Sequence, residues 1–123
     1  MPLIDGICAT CQFNGNAVGS AFTCTANDLL NNGITSRPHV QIGVVFTDNS
    51  GAAVTPGAGT YTITAETFSN PGVFQAIYGA TGVDATAALQ TYSMSGCITR
   101  IRVTPTGITT ATKFNVNLTA SIS

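Results

Sequence analysis

Lys113-Phe114-Asn115-Val116-Asn117-Leu118-Thr119-Ala120-Ser121-Ile122 alternates polar and apolar residues without a break. Successive side chains of a strand point to opposite faces. This decapeptide therefore predicts a strand with Phe114, Val116, Leu118, Ala120 and Ile122 on a core and a polar face outside. Just upstream, Thr99, Ile101 and Val103 alternate with Arg100, Arg102 and Thr104, which puts both arginines on one face. Pro105-Thr106-Gly107 is expected to end that run, because proline lacks the ladder donor and glycine permits a turn. The two runs read as an antiparallel hairpin joined by a Thr-rich loop.

The same period recurs toward the N-terminus. Val40, Ile42, Val44 and Phe46 alternate with Gln41, Gly43, Val45 and Thr47 and run into the turn signal Asp48-Asn49-Ser50-Gly51. From Thr60 to Thr67, Tyr61, Ile63 and Ala65 share one face and Thr62, Thr64 and Glu66 the other. The turn Asn70-Pro71-Gly72 precedes a short strand from Val73 to Tyr78. Ile7 to Phe13 and Val18 to Thr25 flank Asn14-Gly15-Asn16, a hairpin signal. Asn27 to Gly33 reads as at most one helical turn. Asp84 to Met94 fits a short helix or a strand, and residues 89–95 favour the strand. About seven or eight short strands at regular spacing predict an all-β fold, an antiparallel β-sandwich of jelly-roll type, as one domain over residues 1–123.

Composition narrows the function. The chain has 123 residues, is 44% hydrophobic and only 7% charged, with a net charge of −1; soluble domains average about 25% charged. Thr, Ser, Asn, Gln and Gly supply the polarity instead. Hydroxyls and amides are buried at modest cost when hydrogen-bonded, whereas unpaired charges are not. Such an exterior suits a protein that ends covered by neighbours, and equally a secreted β protein. Four basic residues, Arg37, Arg100, Arg102 and Lys113, are too few for a nucleic-acid footprint. No apolar run approaches the ~20 residues that span a bilayer. The start, Met1-Pro2-Leu3-Ile4-Asp5-Gly6, lacks the basic and long apolar regions of a secretory signal.

No reactive constellation is legible, and the expectation is a protein that is not an enzyme and has no cofactor or metal. Cys8-Ala9-Thr10-Cys11 is a CxxC, with Cys24 and Cys97 isolated. Structural zinc normally needs two close pairs, and redox catalysis wants the motif at a helix start after a βαβ strand. In a strand, the odd offset points Cys8 and Cys11 to opposite faces, so all four read as structural thiols. The supposed N-terminal hairpin brings Cys8 nearly opposite Cys24, where an oxidising environment would permit a disulfide. Ser36 and His39 have no nucleophile elbow around them, and Pro38 marks the approach to a strand. Asp5, Asp28, Asp48 and Asp84 sit in turn contexts where Asp caps backbone donors; Glu66 stands alone. Gly57-Ala58-Gly59 and Gly79-Ala80-Thr81-Gly82 read as loop glycines. The sequon Asn117-Leu118-Thr119 lies inside the best strand. The aromatics are spread along the strands as core residues are; Tyr61, Tyr78 and Tyr92 are the set that a sugar-binding platform would use.

The segment Cys97-Ile98-Thr99-Arg100-Ile101-Arg102-Val103-Thr104-Pro105-Thr106-Gly107-Ile108-Thr109-Thr110-Ala111-Thr112-Lys113-Phe114-Asn115-Val116 resembles a C-terminal hairpin of small virion proteins of tailed bacteriophages. In those proteins an R-V-T-P-like strand, a Gly/Thr loop and an alternating last strand finish a β-sandwich. The resemblance covers the last third of the chain and carries no catalytic residue. It implies a capsid decoration (cement) protein or another virion component, made in the host cytoplasm and resident in the virion. Its implied partners are a major capsid or other virion protein and further copies of itself, with no nucleic acid and no membrane. Contacts are expected from the 48–59 and 105–112 loops. The alternative is a carbohydrate- or host-binding β-sandwich, as in a lectin-like domain or a fibre or tail component.

Overall fold

A computed structural model of the chain describes residues 8–17, 22–24, 29 and 33–121, excepting the side chains of Cys8 and Cys24. The expected helical turn at 27–33 lies largely outside these residues. Nine strands are present: β1 (Cys8–Asn16), β2 (Phe22–Cys24), β3 (His39–Thr47), β4 (Ala58–Thr67), β5 (Gln75–Ala76), β6 (Val83–Asp84), β7 (Thr91–Ser95), β8 (Ile98–Thr109) and β9 (Lys113–Ser121). The count exceeds the expected seven or eight through the two-residue β6, which pairs with β4 off the main path.

Pairing is nested. β1 pairs with β9, β2 with β8, β3 with β7 and β4 with β5, all antiparallel. Contacts between β3 and β9 and between β4 and β8 complete two sheets, ordered β1-β9-β3-β7 and β2-β8-β4-β5. A chain doubled on itself in this way and wrapped into two facing sheets is a jelly roll. The β-sandwich expected from the sequence is thus the architecture observed.

Two neighbour relations differ from expectation. β8 and β9 are not a hairpin: β8 lies in the second sheet and β9 in the first. Thr110–Thr112 carry the chain across, with Thr110 at φ 74 and the Thr112 N–H donating to the Thr47 carbonyl at 3.0 Å. Likewise β1 and β2 belong to opposite sheets, so Asn14-Gly15-Asn16 is strand and not turn. Alternation states which face is buried; it does not state whether two apolar faces meet side by side or across the core.

Nor does Pro105 end its strand. β8 continues to Thr109, with Pro105 registered opposite Tyr61 of β4. Gly107 (φ 65) and Gly59 (φ 111) absorb the register shift opposite, as at a β-bulge.

The faces fall as alternation requires. Phe114, Val116, Leu118 and Ala120 of β9 are buried, as are Val40, Ile42, Val44 and Phe46 of β3, Tyr61, Ile63 and Ala65 of β4, and Ile101 and Val103 of β8. The rings form one row through this core. Phe13–Phe22, Phe22–Phe114, Phe114–Phe46, Phe46–Tyr61 and Tyr61–Tyr92 have centroids 6.5, 6.1, 6.1, 5.6 and 6.4 Å apart. Gly15, opposite Phe114 in the ladder, makes room for that ring: a Cβ there would lie 2.5 Å from Phe114 Cζ. Phe114 is fully buried and has nowhere to retreat. Gly15→Ala should therefore cost about 1–3 kcal/mol through overpacking, measured by urea denaturation. Pairing it with Phe114→Leu should recover part of the loss; equal stabilities for wild type and Gly15→Ala would remove the ring from this role.

Candidate functional site

The register builds the outer face of the first sheet almost wholly from neutral side chains. One row crosses the sheet as Thr10, Thr119, Gln41 and Ser93; the next runs Gln12, Asn117, Gly43 and Thr91. A third begins Asn14, Asn115, Val45. All are exposed except Gly43, Val45 and Asn115, which are half-buried. Gly43 leaves open space, since a Cβ there would meet nothing within 4 Å. Lys113 and His39 lie at opposite ends of the face. Near the His39 end a shallow, open depression of about 520 Å³ is lined by His39, Gln41, Ser93, Ser95, Thr119 and Ser121 among others. This arrangement offers hydroxyl and amide donors and acceptors spaced by the strand ladder.

The residues that a hydrolase would need are placed apart. The Ser36 hydroxyl donates to the Gly33 carbonyl at 3.1 Å, whereas His39 opens β3 on the outer face. The Asp48 carboxylate accepts the Ser50 hydroxyl (2.6 Å) and the Ser50 and Ala52 N–H groups (2.9 and 3.0 Å), and Asp84 accepts the Thr86 hydroxyl and N–H (2.7 and 2.9 Å). Those bonds, the hydroxyl's first in each case, hold both carboxyls below their ordinary range. Both do the turn-capping work that their sequence contexts imply. Asp5 and Asp28 lie outside the described residues. Cys8-Ala9-Thr10-Cys11 falls within β1, as expected of strand, and Cys97 lies in the β7–β8 connection. Among the described residues no group of three or more His, Cys, Asp or Glu is placed to hold a metal ion.

The three tyrosines do not share a surface. Tyr61 and Tyr92 are buried with hydroxyl oxygens 3.1 Å apart, while Tyr78 is 98% exposed. Burial, then the bond to Tyr92, pushes the Tyr61 hydroxyl well above the usual phenol range. The segments 48–59 and 105–112 touch each other within the chain, through Gly57 N–H to the Thr109 carbonyl at 3.1 Å, and they run into strands β4 and β8.

The second sheet carries the charge cluster that sequence reasoning did not assemble. Glu66, expected on a polar face, is 7% exposed and lies directly opposite Arg100 in the β4–β8 ladder. Arg100 Nε donates to Oε1 at 2.8 Å and Nη2 to Oε2 at 2.7 Å; the Thr99 hydroxyl and the Gly72 N–H each donate at 2.6 Å. Arg100 and Arg102 both overlie the Phe74 ring, at 4.9 and 3.9 Å from its centroid. Each polar face was readable alone, and only the register between the strands joins them.

A jelly-roll sandwich with a nearly charge-free outer face on its first sheet is thus the class that the fold and this face define. The chain belongs to the family described as Domain of unknown function (DUF7265), whose model matches residues 20–123. No curated protein sequence matches it. Among solved structures it is similar to the decameric BFDV capsid protein, at 13% identity and TM-score 0.49 over 93% of this chain and 94% of that one. It is also similar to a protein of the disulfide-linked pili of Bacillus endospore appendages (15%, TM-score 0.45, 95% and 88%) and to the SPBc2 prophage-derived protein YomS (6%, TM-score 0.45, 90% and 95%). These are neighbours in overall shape, and the nested pairing stands without them. No helix of the described residues is long and apolar enough to cross a membrane.

The Glu66 cluster has a pH signature. Arg100 first, then Thr99 and Gly72, hold its carboxyl down to about 2 from an ordinary 4.5. A lowered folded-state value gives stability that is fully present above pH 4.5 and lost as pH falls through about 2. Glu66→Gln should flatten the loss of stability across that window, leaving the same-signed contributions of Asp48 and Asp84. Urea midpoints measured at successive pH values check this; an unchanged slope would show that the cluster is not coupled to folding.

Proposed function

We propose that this chain is a virion structural protein, a decoration or cement subunit that lays the neutral outer face of its first sheet against an assembled shell. The rows Thr10–Thr119–Gln41–Ser93 and Gln12–Asn117–Gly43–Thr91 carry this reading. Covering such a face desolvates hydroxyls and amides, which recover hydrogen bonds from a partner surface, and strands no charge. Jelly rolls recur among capsid and lectin domains, which supports the class but not the individual role. On this reading the partner is a major capsid or other virion protein, together with further copies of the chain, and the protein works in the virion without catalysis. Its action is mass action: a subunit that binds only the assembled lattice stabilises it by about 2.7 kcal/mol per site at a hundredfold excess over Kd.

Co-sedimentation with empty shells of the virus that encodes the chain tests this. Binding should change by less than about twofold between low and about 0.5 M salt, because screening has little to act on. Thr119→Glu, which places a charge at the centre of the face, should weaken binding at least about tenfold while leaving the unfolding midpoint near wild type. A steep fall in binding with salt, or full binding by Thr119→Glu, would sink the proposal.

A further inference from the structure

Arg100 and Arg102 stand on the outer face of the second sheet and share one aromatic support, the ring of Phe74. Their surroundings differ in one respect. Arg100 faces Glu66 across the β4–β8 ladder and holds its carboxylate with two parallel hydrogen bonds. Arg102, two residues further along, faces Thr64, and beyond Thr64 the row continues to Ala76. On its other side stands Thr23, whose hydroxyl accepts from Arg102 Nε at 3.3 Å. Among the described residues no carboxylate lies within ion-pair distance of Arg102, and no acceptor meets its two Nη groups. Asp84, registered with Thr60 further down β4, is occupied by Thr86.

We infer that Arg102 anchors a second docking site, for a partner protein that brings a carboxylate flanked by apolar side chains. A guanidinium held flat on a ring is already oriented, and its planar fork matches a carboxylate, as Arg100 shows on the same face. Charge points the same way. The cluster carries two arginines to one glutamate, so an arriving acidic group is attracted there and meets an unpaired cation. The apolar part of the site lies beside it. Val73, just before Phe74, is exposed, and Tyr78 is exposed almost completely. Ala76 and Tyr78 flank the buried Ile77 and so fall on the outer side, where Ala76 is short and exposed. Aromatic residues and arginine are the types that dominate binding hot spots. Tyr61 and Tyr92 spend their hydroxyls on each other in the core, whereas that of Tyr78 has no partner among the described residues. The site is on the opposite sheet from the neutral face, so it does not rest on the shell-binding reading and leaves that face uncovered.

The test titrates the full chain with the capped tripeptide acetyl-Phe-Glu-Phe-amide and with its neutral twin acetyl-Phe-Gln-Phe-amide, following arginine side-chain and tyrosine-ring resonances by NMR. The glutamate peptide should shift Arg102 Nε and the Tyr78 ring and leave Arg100 Nε in place. It should bind at least about tenfold more tightly than its twin. Arg102→Gln should bring the two peptides to within about twofold of each other. Arg102→Lys, which keeps the charge but not the planar fork, should recover only part of the difference. Equal binding of the two peptides, a preference that survives Arg102→Gln, or no shift at Arg102 up to about 10 mM peptide overturns the site. Shells separate the two readings: Arg102→Gln should co-sediment with them like wild type, and a loss would put the shell on the second sheet and leave no separate partner.

Discussion

The row of rings from Phe13 through Phe22, Phe114, Phe46 and Tyr61 to Tyr92 is what ties one sheet to the other. It passes between strands of both sheets, so no sheet can slide without breaking an edge-to-face contact. Each such pair is worth about 0.5–1.5 kcal/mol beyond the apolar area it buries. Among the described residues Glu66–Arg100 is the one ion pair within hydrogen-bond reach, so packing carries most of what sets stability and register. Gly15 belongs to the same constraint, because the ring of Phe114 occupies the place of its side chain. The Tyr61–Tyr92 hydroxyl pair satisfies two polar atoms that the row would otherwise bury unpaired.

The faces were legible in the sequence and the neighbours were not. Alternation from Lys113 to Ser121 predicts the burial of β9 residue by residue, and it holds along β3 and β4 up to their last residues, where Thr47, Glu66 and Thr67 are buried as well. Yet two apparent hairpins, around Asn14-Gly15-Asn16 and Pro105-Thr106-Gly107, are a strand and a strand with a bulge. Glycine and proline signal departures from ordinary backbone demands; at Gly15 the cause is tertiary, the ring of Phe114, and in β8 Gly107 serves a register shift against Gly59. The first strand pairs with the last, a contact of maximal sequence separation that no local pattern encodes. The candidate face was half legible: its neutrality follows from composition, and its rows exist only once β1, β9, β3 and β7 are in register.

Where the few charges go explains why that face is clean. Glu66 and Arg100 satisfy each other on the second sheet, with Arg102 stacked beside Arg100 on Phe74. Asp48 and Asp84 cap turns. The ionic residues are thus engaged within loops and on the opposite sheet, and the first sheet keeps Lys113 and His39 at its ends. Each of the described carboxylates, Asp48, Glu66 and Asp84, has local work that fixes a loop or joins two strands. The neutral face is the remainder.

Such a face gives up something in return. Charged complementarity steers encounters toward rates of about 10⁸ M⁻¹s⁻¹ or more, and neutral patches dock at about 10⁵–10⁶ M⁻¹s⁻¹. A protein that binds slowly and without long-range attraction gains occupancy from contact number more than from approach speed. On the proposed reading, in which the subunit coats a repeating lattice, many weak, neutral contacts hold through changes of salt better than a few ionic ones.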